Sequence, residues 1–349
     1  MSTYNAAIIG YGRMAQGHVR AYKEAGIPVV AVADISEDAL NRFREHTDAK
    51  HTYTDYKRMI DEISPDLISV VTHDRLHCTM VVDAAERGVK GIICEKPMAM
   101  NLEEADRMLA ACRASGTKLT VSHQRYYMPQ YAQARELIAA DAIGAVHSAE
   151  AYLLPSCIHT DGTHTIHMLL SLLGNPRVSH LLAQVDGHSG QMYYGHRVED
   201  AGTAFIAFEN QVHANLSWGL AGRAPRVPLR PVQDFRYHGF IIHGDRGRLE
   251  LDGDRPVNDT PILRIVRGTT VEPIDLQPRK GAITLELEDL LRSIETNAPH
   301  PLDGQNGRDV LEVIMGCYES ARRRRVIQFP LEVKENPFLA MCEAGDFPA

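Results

Sequence analysis

Short apolar segments alternate with amphipathic ones along the first third of the chain. The apolar segments are typical of buried strands: Ala6–Gly10, Val29–Asp34, Leu67–Thr72, Val89–Cys94 and Lys118–Ser122. Between them lie segments with apolar residues at steps of three and four, as in helices: Met14–Ala25, Glu37–His46, Leu76–Arg87 and Leu102–Ser115. Apolar strands that alternate with helices indicate a parallel sheet covered on both faces. We therefore predict a doubly wound α/β domain over residues 1–123.

A different pattern follows residue 123. A predicted helix, Pro129–Ala140, leads into strand-like runs separated by turn residues: Val146–Leu153, Ala201–Glu209, Val212–Trp218, Phe240–His243 and Arg248–Leu251. Such runs favour a largely antiparallel sheet with one open face. Three more helical segments complete this region: Ile166–Leu173, Leu285–Thr296 and Gly307–Arg324. We predict a C-terminal α+β domain over residues 124–349, built on a large, open, mostly antiparallel sheet.

The least regular stretch is the loop from Gly219 to Gly239, which is rich in proline and arginine. Loops of this length are usually functional or mobile. Two interpretations stay open. The loop is either a solvated surface excursion, or an oligomer contact or lid over an anionic or heavily hydroxylated ligand.

Composition removes several classes of function. The 349 residues include 37 Lys and Arg against 45 Asp and Glu, and this net negative charge argues against a nucleic acid as partner. No apolar run approaches the roughly 18 residues that a membrane span needs. The polar start, Met1–Asn5, lacks the features of a secretory signal, so we expect a cytoplasmic protein. The six cysteines form no CxxC pair, and they predict neither a disulfide framework nor a zinc ribbon.

A glycine-rich turn follows the first predicted strand. It reads GxGxxA and consists of Gly10, Tyr11, Gly12, Arg13, Met14 and Ala15. The first glycine permits a tight turn, the second lets a pyrophosphate approach the backbone, and the small sixth residue allows close helix packing. Asp34 ends the second strand 22 residues after Gly12, where an acidic side chain binds ribose hydroxyls and repels a 2′-phosphate. The pattern predicts a Rossmann domain that binds NAD rather than NADP, although Arg13 could accommodate a phosphate.

Three residues with chemical potential follow another strand of the same sheet. Glu95, Lys96 and Pro97 come directly after Val89–Cys94, at the carboxyl end of a parallel strand, where such sheets bind ligands. A lysine at this place can donate a hydrogen bond to a substrate oxygen or relay its proton. In isolation, a Glu-Lys pair is more often a solvated ion pair.

The combination of these motifs resembles the glucose-fructose oxidoreductase, inositol dehydrogenase and rhizopine-catabolism (Gfo/Idh/MocA) family of sugar dehydrogenases. The resemblance extends over nearly the whole chain, through Gly144–Glu150, His243–Leu251 and Asp303–Arg325. It implies that Lys96 is the catalytic lysine, that Pro97 shapes the nicotinamide pocket and that the C-terminal sheet forms a homodimer or homotetramer. It also implies cofactor contacts from Thr72, His73, His77, Glu95 and Gln124.

The family's second catalytic segment, D-x-G-x-H-x-x-D, matches Thr160–His167 with Gly162 and His164 in register. The resemblance makes His164 the catalytic histidine. Asp161 is displaced by one position from the first aspartate, so either Asp161 serves from a shifted position or His164 acts with Lys96 alone.

Other interpretations of this segment stay open. His159, Asp161, His164 and His167 could together hold a divalent metal, or they could be a purely structural cluster. We predict proton transfer and no bound metal. The candidates for substrate contact are Lys96, Arg125, Tyr152, His159, Thr160, His164 and Arg236.

Taken together, the residues and the resemblance predict an NAD-dependent oxidoreductase that acts on a secondary hydroxyl of a sugar, glycoside or inositol-like cyclic polyol. One alternative is a glycoside-processing enzyme that retains NAD and works by transient oxidation and elimination. A non-enzymatic alternative is a binding protein that senses NAD or a sugar.

Overall fold

The computed structural model describes residues 4–47, 49, 51–219, 237–254 and 261–347, with Tyr237 given by its backbone only. Most of the proline- and arginine-rich loop, with the predicted substrate residue Arg236, lies outside the described residues. The chain divides into two compact units. The first comprises Met1–Tyr127 and Lys280–Asp309, and the second comprises Met128–Arg279 and Val310–Ala349.

Six parallel strands form the sheet of the first unit. Its elements up to Tyr127 are β1 (Ala6–Ile9), α1 (Ala15–Glu24), β2 (Val29–Ala33), α2 (Glu37–His46), β3 (His51–Tyr53), α3 (Tyr56–Ile63), β4 (Leu67–Val70), α4 (Asp74–Glu86), β5 (Gly91–Cys94), α5 (Leu102–Ser115), β6 (Lys118–Val121) and a 3₁₀ turn (Gln124–Tyr127). The strand order is β3-β2-β1-β4-β5-β6, and every pairing is parallel. This is the doubly wound order, and it confirms the predicted α/β domain.

The remaining elements follow in chain order. They are α6 (Pro129–Ala139), β7 (Val146–Leu154), α7 (Gly162–Leu172), β8 (Val178–Asp186), β9 (Met192–Tyr193), β10 (His196–Arg197), β11 (Ala201–Phe208), β12 (His213–Trp218), β13 (Tyr237–Gly244), β14 (Gly247–Asp252), β15 (Leu263–Arg267), β16 (Thr270–Pro273), α8 (Ala282–Thr296), α9 (Gly304–Arg323), β17 (Ile327–Gln328) and α10 (Pro337–Glu343).

The second unit is built on a nine-stranded sheet of order β16-β15-β14-β13-β7-β12-β11-β8-β17. Its strands pair antiparallel except for β7 with β12. On β8 and β11, side chains alternate between a buried face and an exposed one. The exposed face carries Leu182 and Phe205, which are cross-strand neighbours. The prediction of a large, open, mostly antiparallel sheet is confirmed.

The helix α8 belongs to the first unit, although a division at residue 123 would assign it to the second. Its Leu287 and Leu290 pack with Leu67 and Ile93 of the parallel strands. A Cβ on Gly91 would approach Leu290 Cδ2 to 3.3 Å, so the bare glycine lets the helix lie close to the sheet. The amphipathic pattern of α8 predicts a buried face, but it does not say which sheet that face covers.

Several elements differ from the sequence prediction. The strand β3 and the helix α3 were not predicted, because β3 is a three-residue edge strand without an apolar run. The helix α7 begins at Gly162 rather than at Ile166, and its first turn therefore includes the histidine motif. Across the described part of the chain, none of the helices has both the length and the apolarity that crossing a bilayer requires.

Candidate active site

The turn between β1 and α1 needs its two glycines for different reasons. Gly10 has φ +88°, and a Cβ there would lie 2.5 Å from Val71 O, so the fold itself demands glycine. A Cβ on Gly12 would meet no protein atom within 4 Å. Packing therefore does not explain Gly12, whereas the close approach of a pyrophosphate to the backbone does.

Asp34 connects this turn to the end of β2. Its Oδ2 accepts a hydrogen bond from the Tyr11 amide at 2.7 Å, and its Oδ1 accepts one from the Ser36 amide at 2.8 Å. The side chain is half-buried, and each oxygen keeps further lone-pair capacity toward a hydroxyl donor. Asp34 therefore presents hydrogen-bond acceptors beside the glycine-rich turn.

The N-terminus of α1 is suited to an anion. Its capping residue, Met14, makes no side-chain cap hydrogen bond within the described part of the chain, and neither does that of α4, whereas Ser36, Asp55 and Asn101 cap α2, α3 and α5. Its first amide groups remain available for phosphate oxygens at the positive end of the helix dipole. Arg13 and Met14 are exposed beside it. Tyr11 is buried and packs its ring edge-on against Phe43, so its link to the cofactor site is its backbone. These residues fit a dinucleotide.

The loop after β4 packs against the glycine-rich turn. The Thr72 methyl group lies 2.7 Å from where a Cβ on Gly10 would be. His73 is exposed and begins α4. His77 is fully buried on the first turn of α4, with Nδ1 2.8 Å from Pro97 O and Nε2 3.1 Å from Thr72 O. Burial lowers the pKa of His77, so the imidazole is neutral. Any effect of His77 on a cofactor would pass through Thr72 and Pro97.

Glu95, Lys96 and Pro97 follow β5 as predicted, and Lys96 is the least buried of the three. The Glu95 carboxylate contacts His18 Nε2 at 3.2 Å and accepts a hydrogen bond from the Lys96 amide at 3.3 Å. Burial alone would raise the pKa of Glu95, but the hydrogen bond from His18 and the nearby charge of Lys96 hold it below its usual value. Glu95 is therefore a buried carboxylate that stays ionised at neutral pH.

The end of β6 leads to the last predicted cofactor residue of this unit. Gln124 and Arg125 lie half-buried in the 3₁₀ turn after β6. The preceding Ser122 donates a hydrogen bond to Glu286 of α8 at 2.9 Å. Glu286 is fully buried, and burial raises its pKa to about 8, so this acid is protonated at neutral pH.

In the second unit, the loop between β7 and α7 carries the predicted catalytic segment. All eleven residues of α7 are buried. Asp161 begins the helix, and its Oδ2 accepts a hydrogen bond from Ser156 Oγ at 2.7 Å, while its backbone carbonyl accepts from the His164 amide at 3.0 Å. Thr160 pairs with Cys157 Sγ at 2.8 Å. The loop is thus tightly folded on itself.

Buried histidines cluster around this segment in pairs. The rings of His159 and His196 meet edge to face at 5.8 Å, and those of His164 and His238 meet at 6.2 Å. His238 Nδ1 also lies 2.8 Å from Thr165 Oγ1. Among the described residues, no three of His159, Asp161, His164 and His167 bring their ligand atoms within 4.8 Å of one another. The four residues proposed from sequence as metal ligands therefore do not converge.

Glu199 anchors the loop between β7 and α7 by hydrogen bonds. Its carboxylate accepts hydrogen bonds from the Ile158 amide, from Trp218 Nε1 at 3.0 Å and from Tyr318 Oη at 2.6 Å. Burial raises the pKa of Glu199 to about 7, and the bonds from Tyr318 and Ile158 oppose that rise. One buried acid thereby ties the histidine loop to β12 and α9.

Tyr152 does not join this group. Leu153 faces α7, because its Cδ2 would lie 3.2 Å from a Cβ on Gly162. Successive side chains of a strand point to opposite faces, so Tyr152 points away from α7, and its hydroxyl donates to Glu150. Its role as a substrate-contacting residue stays a prediction.

Several site residues were missed from sequence. His18, Ser69, Glu199 and Glu286 are buried polar residues that bind partners far along the chain; His18 and Glu95 are 77 positions apart. The only local signal was a polar residue on the buried face of a helix, as for His18 in α1.

Comparisons with known proteins agree with this geometry. Residues 4–123 match the Gfo/Idh/MocA family region described as an oxidoreductase family with an NAD-binding Rossmann fold, and residues 158–329 match its C-terminal alpha/beta domain. The D-apiose dehydrogenase of Paraburkholderia graminis is 22% identical over 98% of this chain and 94% of its own length.

Two further matches differ in extent. The inositol 2-dehydrogenase of Paracoccus denitrificans is 32% identical over 50% of this chain, and the match spans about half of that enzyme, 56%. The crystal structure of an aldose-aldose oxidoreductase from Caulobacter crescentus complexed with glycerol shares the fold, with a TM-score of 0.79 at 21% identity over 94% of this chain and 100% of that chain. The resemblance noted in the sequence is confirmed, and the chain belongs to the Gfo/Idh/MocA family of NAD-binding oxidoreductases.

Proposed function

We propose that this protein is an NAD-dependent dehydrogenase that acts on a secondary hydroxyl of a sugar, glycoside or inositol-like polyol. The observation that carries the proposal is the set of strand ends in the first unit. β1 and β2 are followed directly by Gly10 and Asp34, and β5 is followed by Glu95 and Lys96, all at the same edge of one parallel sheet. Dinucleotide-binding residues and a proton-bearing side chain thereby share the edge at which such sheets bind ligands.

The preference for NAD rests on Asp34. Its carboxylate is held by two backbone amides, and it would accept hydrogen bonds from ribose hydroxyls. The same charge would repel a 2′-phosphate. Arg13 is exposed nearby, but it lacks a comparable fixed position in the turn.

We assign the transfer of the substrate hydroxyl proton to Lys96 and His164. When bound, NAD supplies a hydride acceptor for the carbinol carbon. As the C–H bond breaks, the substrate O–H proton must leave, and the C–O bond becomes a carbonyl. His164 would take that proton, and Lys96 would hold the substrate oxygen and share the proton. Asp161 is assigned a supporting role, because Ser156 holds its carboxylate and its carbonyl fixes the His164 backbone.

The names of two relatives support the proposed substrate class. A protein matching nearly end to end is named for D-apiose, and another is named for inositol. Both are small polyhydroxylated molecules, so we infer a carbohydrate or cyclic polyol for this protein. We also infer a homodimer or homotetramer that covers the exposed sheet face around Leu182 and Phe205.

Replacing Lys96 with Ala tests the assignment. We expect turnover to fall by about 10²-fold or more while NAD affinity stays within about threefold, because the amine acts on substrate. Lys90→Ala is the matched control, since Lys90 lies at the opposite end of β5 and pairs with Asp66. Retained turnover in Lys96→Ala would refute the role of Lys96.

A further inference from the structure

We propose that two buried histidines, His18 and His77, are positioning residues that hold Lys96 in register with the cofactor-binding turn. Neither side chain is exposed, so neither can touch substrate. Each binds a residue adjacent to Lys96, His18 through Glu95 and His77 through Pro97. The inference rests on the proposed function only in giving Lys96 a catalytic task.

The first connection runs from α1. His18 lies on the first turn of the helix whose N-terminus follows the glycine turn. Its Nε2 lies 3.2 Å from Glu95 Oε1, and its Nδ1 lies 3.1 Å from Ser69 Oγ on β4. Tyr22 Oη, one turn further along α1, is 3.0 Å from the same Ser69 oxygen. Both nitrogens of His18 are therefore engaged, and the ring cannot rotate without breaking a buried contact.

Glu95 passes this constraint to the lysine. One carboxylate oxygen contacts His18, and the other accepts the Lys96 amide proton. The Glu95 amide donates to Val70 O at 2.9 Å, which fixes the residue to the end of β4 as well. A buried carboxylate held at both oxygens leaves the following residue little freedom.

The second connection runs from α4. A neutral histidine has a single N–H to donate, and the shorter of the two His77 contacts, 2.8 Å, is to Pro97 O. The other nitrogen lies 3.1 Å from Thr72 O. Thr72 belongs to the segment after β4 that packs against Gly10. His77 thus holds Pro97, the residue after Lys96, by a hydrogen bond from α4, while its second nitrogen packs against the backbone that follows β4.

The two connections converge on one residue from two helices. A displacement of α1 would be transmitted to Glu95 through His18, and a displacement of α4 would be transmitted to Pro97 through His77; Lys96 lies between these two residues. Misplacing a reacting group by about 1 Å can cost about 10²-fold in rate. Two buried histidines at this place therefore have a function that a purely apolar core could not supply.

The groups around Glu95 determine which variant can serve as a control. His18 and Lys96 favour its ionised form, and Glu286 of α8 is the other buried acid that interacts with it. Cys94 precedes it, and burial raises the pKa of that thiol, so the thiol stays neutral. A third buried histidine of the same unit, His300, instead lies with its Nε2 3.1 Å from Glu286 O and accepts a hydrogen bond from the Leu302 amide at 2.9 Å. It is the matched control.

The test measures Lys96 directly and needs no substrate. Intact protein is labelled with trace acetic anhydride from pH 7 to 11, and the acetylation of Lys96 relative to Lys90 is quantified by peptide mass spectrometry. We expect His18→Ala and His77→Ala to change this ratio by at least about threefold or to move its midpoint by at least about half a pH unit. His300→Ala should leave the ratio within error of the wild type.

Conservative variants separate positioning from folding. His18→Gln can still reach Glu95 and His77→Asn can still reach Pro97, so both should restore most of the wild-type labelling. Where turnover is measurable, the alanine variants should lower kcat by about 10- to 100-fold and leave the KM for NAD within about threefold. If His18→Ala does not fold, Glu95→Gln, which keeps the shape and removes the charge, should change Lys96 labelling in the same way.

The outcomes distinguish the two claims. A labelling profile in the folded His18 and His77 variants identical to that of His300→Ala would overturn the positioning role, even in an active enzyme. An absence of hydride transfer by the wild type would count against the proposed function, and the labelling result would still decide the role of the histidines.

Discussion

At the scale of single residues, the carboxyl groups of each unit differ in their surroundings. Asp34 is half-buried and bound by two amides, and Glu95 is buried and kept ionised by His18 and Lys96. Glu286 and Glu199 are also fully buried, and burial raises the pKa of Glu286 to about 8 and that of Glu199 to about 7. The sequence shows these acids, but only their packing lowers the pKa of Glu95 and raises the pKa values of Glu286 and Glu199.

Asp34 gives the first prediction. Asp34→Asn keeps an oxygen for the Tyr11 amide but removes the negative charge. We expect the ratio of kcat/KM for NAD to that for NADP to fall by at least about tenfold, because the repulsion of the 2′-phosphate is lost. Steady-state kinetics with both cofactors measure it. A wild-type enzyme that prefers NADP would contradict the proposed role of Asp34.

Glu286 gives a prediction for stability against pH. Because burial raises its pKa from 4.5 to about 8, the unfolded chain releases this proton at a lower pH than the folded protein does. The group therefore lowers stability progressively from about pH 4.5 to pH 8, by an amount on the order of a few kcal/mol. Glu286→Gln should remove this loss, so its unfolding temperature should rise relative to the wild type across that window.

The control for this prediction lies on the same helix. The Glu288 side chain is 39% exposed and pairs with Lys280, so Glu288→Gln should change the unfolding temperature little and without this pH dependence. Thermal unfolding followed by circular dichroism at pH 5, 7 and 9 compares the variants. A constant difference between Glu286→Gln and the wild type would show that Glu286 does not titrate in the folded state as described.

At the scale of elements, the alternating segments predicted the parallel strands other than the polar edge strand β3. The GxGxxA turn and Glu95-Lys96-Pro97 were placed correctly at strand ends. The sequence could not show that α8 packs against the first sheet, because an apolar helix face does not indicate which sheet it covers. Nor could it show that His18 meets Glu95, because that contact exists only after β4, β5 and α1 have packed.

The glycine turn gives a prediction with a built-in contrast. Gly12→Val should fold normally, because a Cβ at this position meets no protein atom within 4 Å, yet NAD binding should weaken by at least about tenfold. Gly10→Val should unfold at a markedly lower temperature, because it adds a Cβ 2.5 Å from Val71 O at positive φ. Thermal unfolding and NADH fluorescence titration separate the effects. Equal NAD affinity in Gly12→Val and wild type would remove this turn from the cofactor site.

At the scale of the whole molecule, the large sheet of the second unit exposes neighbouring apolar side chains. Leu182 and Phe205 are 48% and 42% exposed on adjacent strands of a wide sheet. Exposed neighbouring apolar side chains on a sheet face indicate a protein contact. Together with the family membership, this surface supports the proposed homo-oligomer.

A charge placed on this face tests the assembly. Phe205→Glu should shift the protein to a smaller species in sedimentation velocity, because a carboxylate would be buried unpaired in the interface. Val271→Glu is the matched control, since Val271 is as exposed but lies on the edge strand β16. Both variants should unfold near the wild-type temperature. An unchanged sedimentation coefficient for Phe205→Glu would place the contact elsewhere or exclude it.

Hydride transfer from a polyol to NAD is tested most directly by measuring the formation of reduced nicotinamide. Purified protein is mixed with D-apiose, inositols, aldoses, sugar acids and glycosides, with and without added NAD, and reduced nicotinamide is followed by its fluorescence. We predict a rising signal that requires both added NAD and a polyhydroxylated substrate, and that Lys96→Ala abolishes. A signal confined to cofactor that copurifies with the protein, or no signal although NAD binds, would contradict the claim.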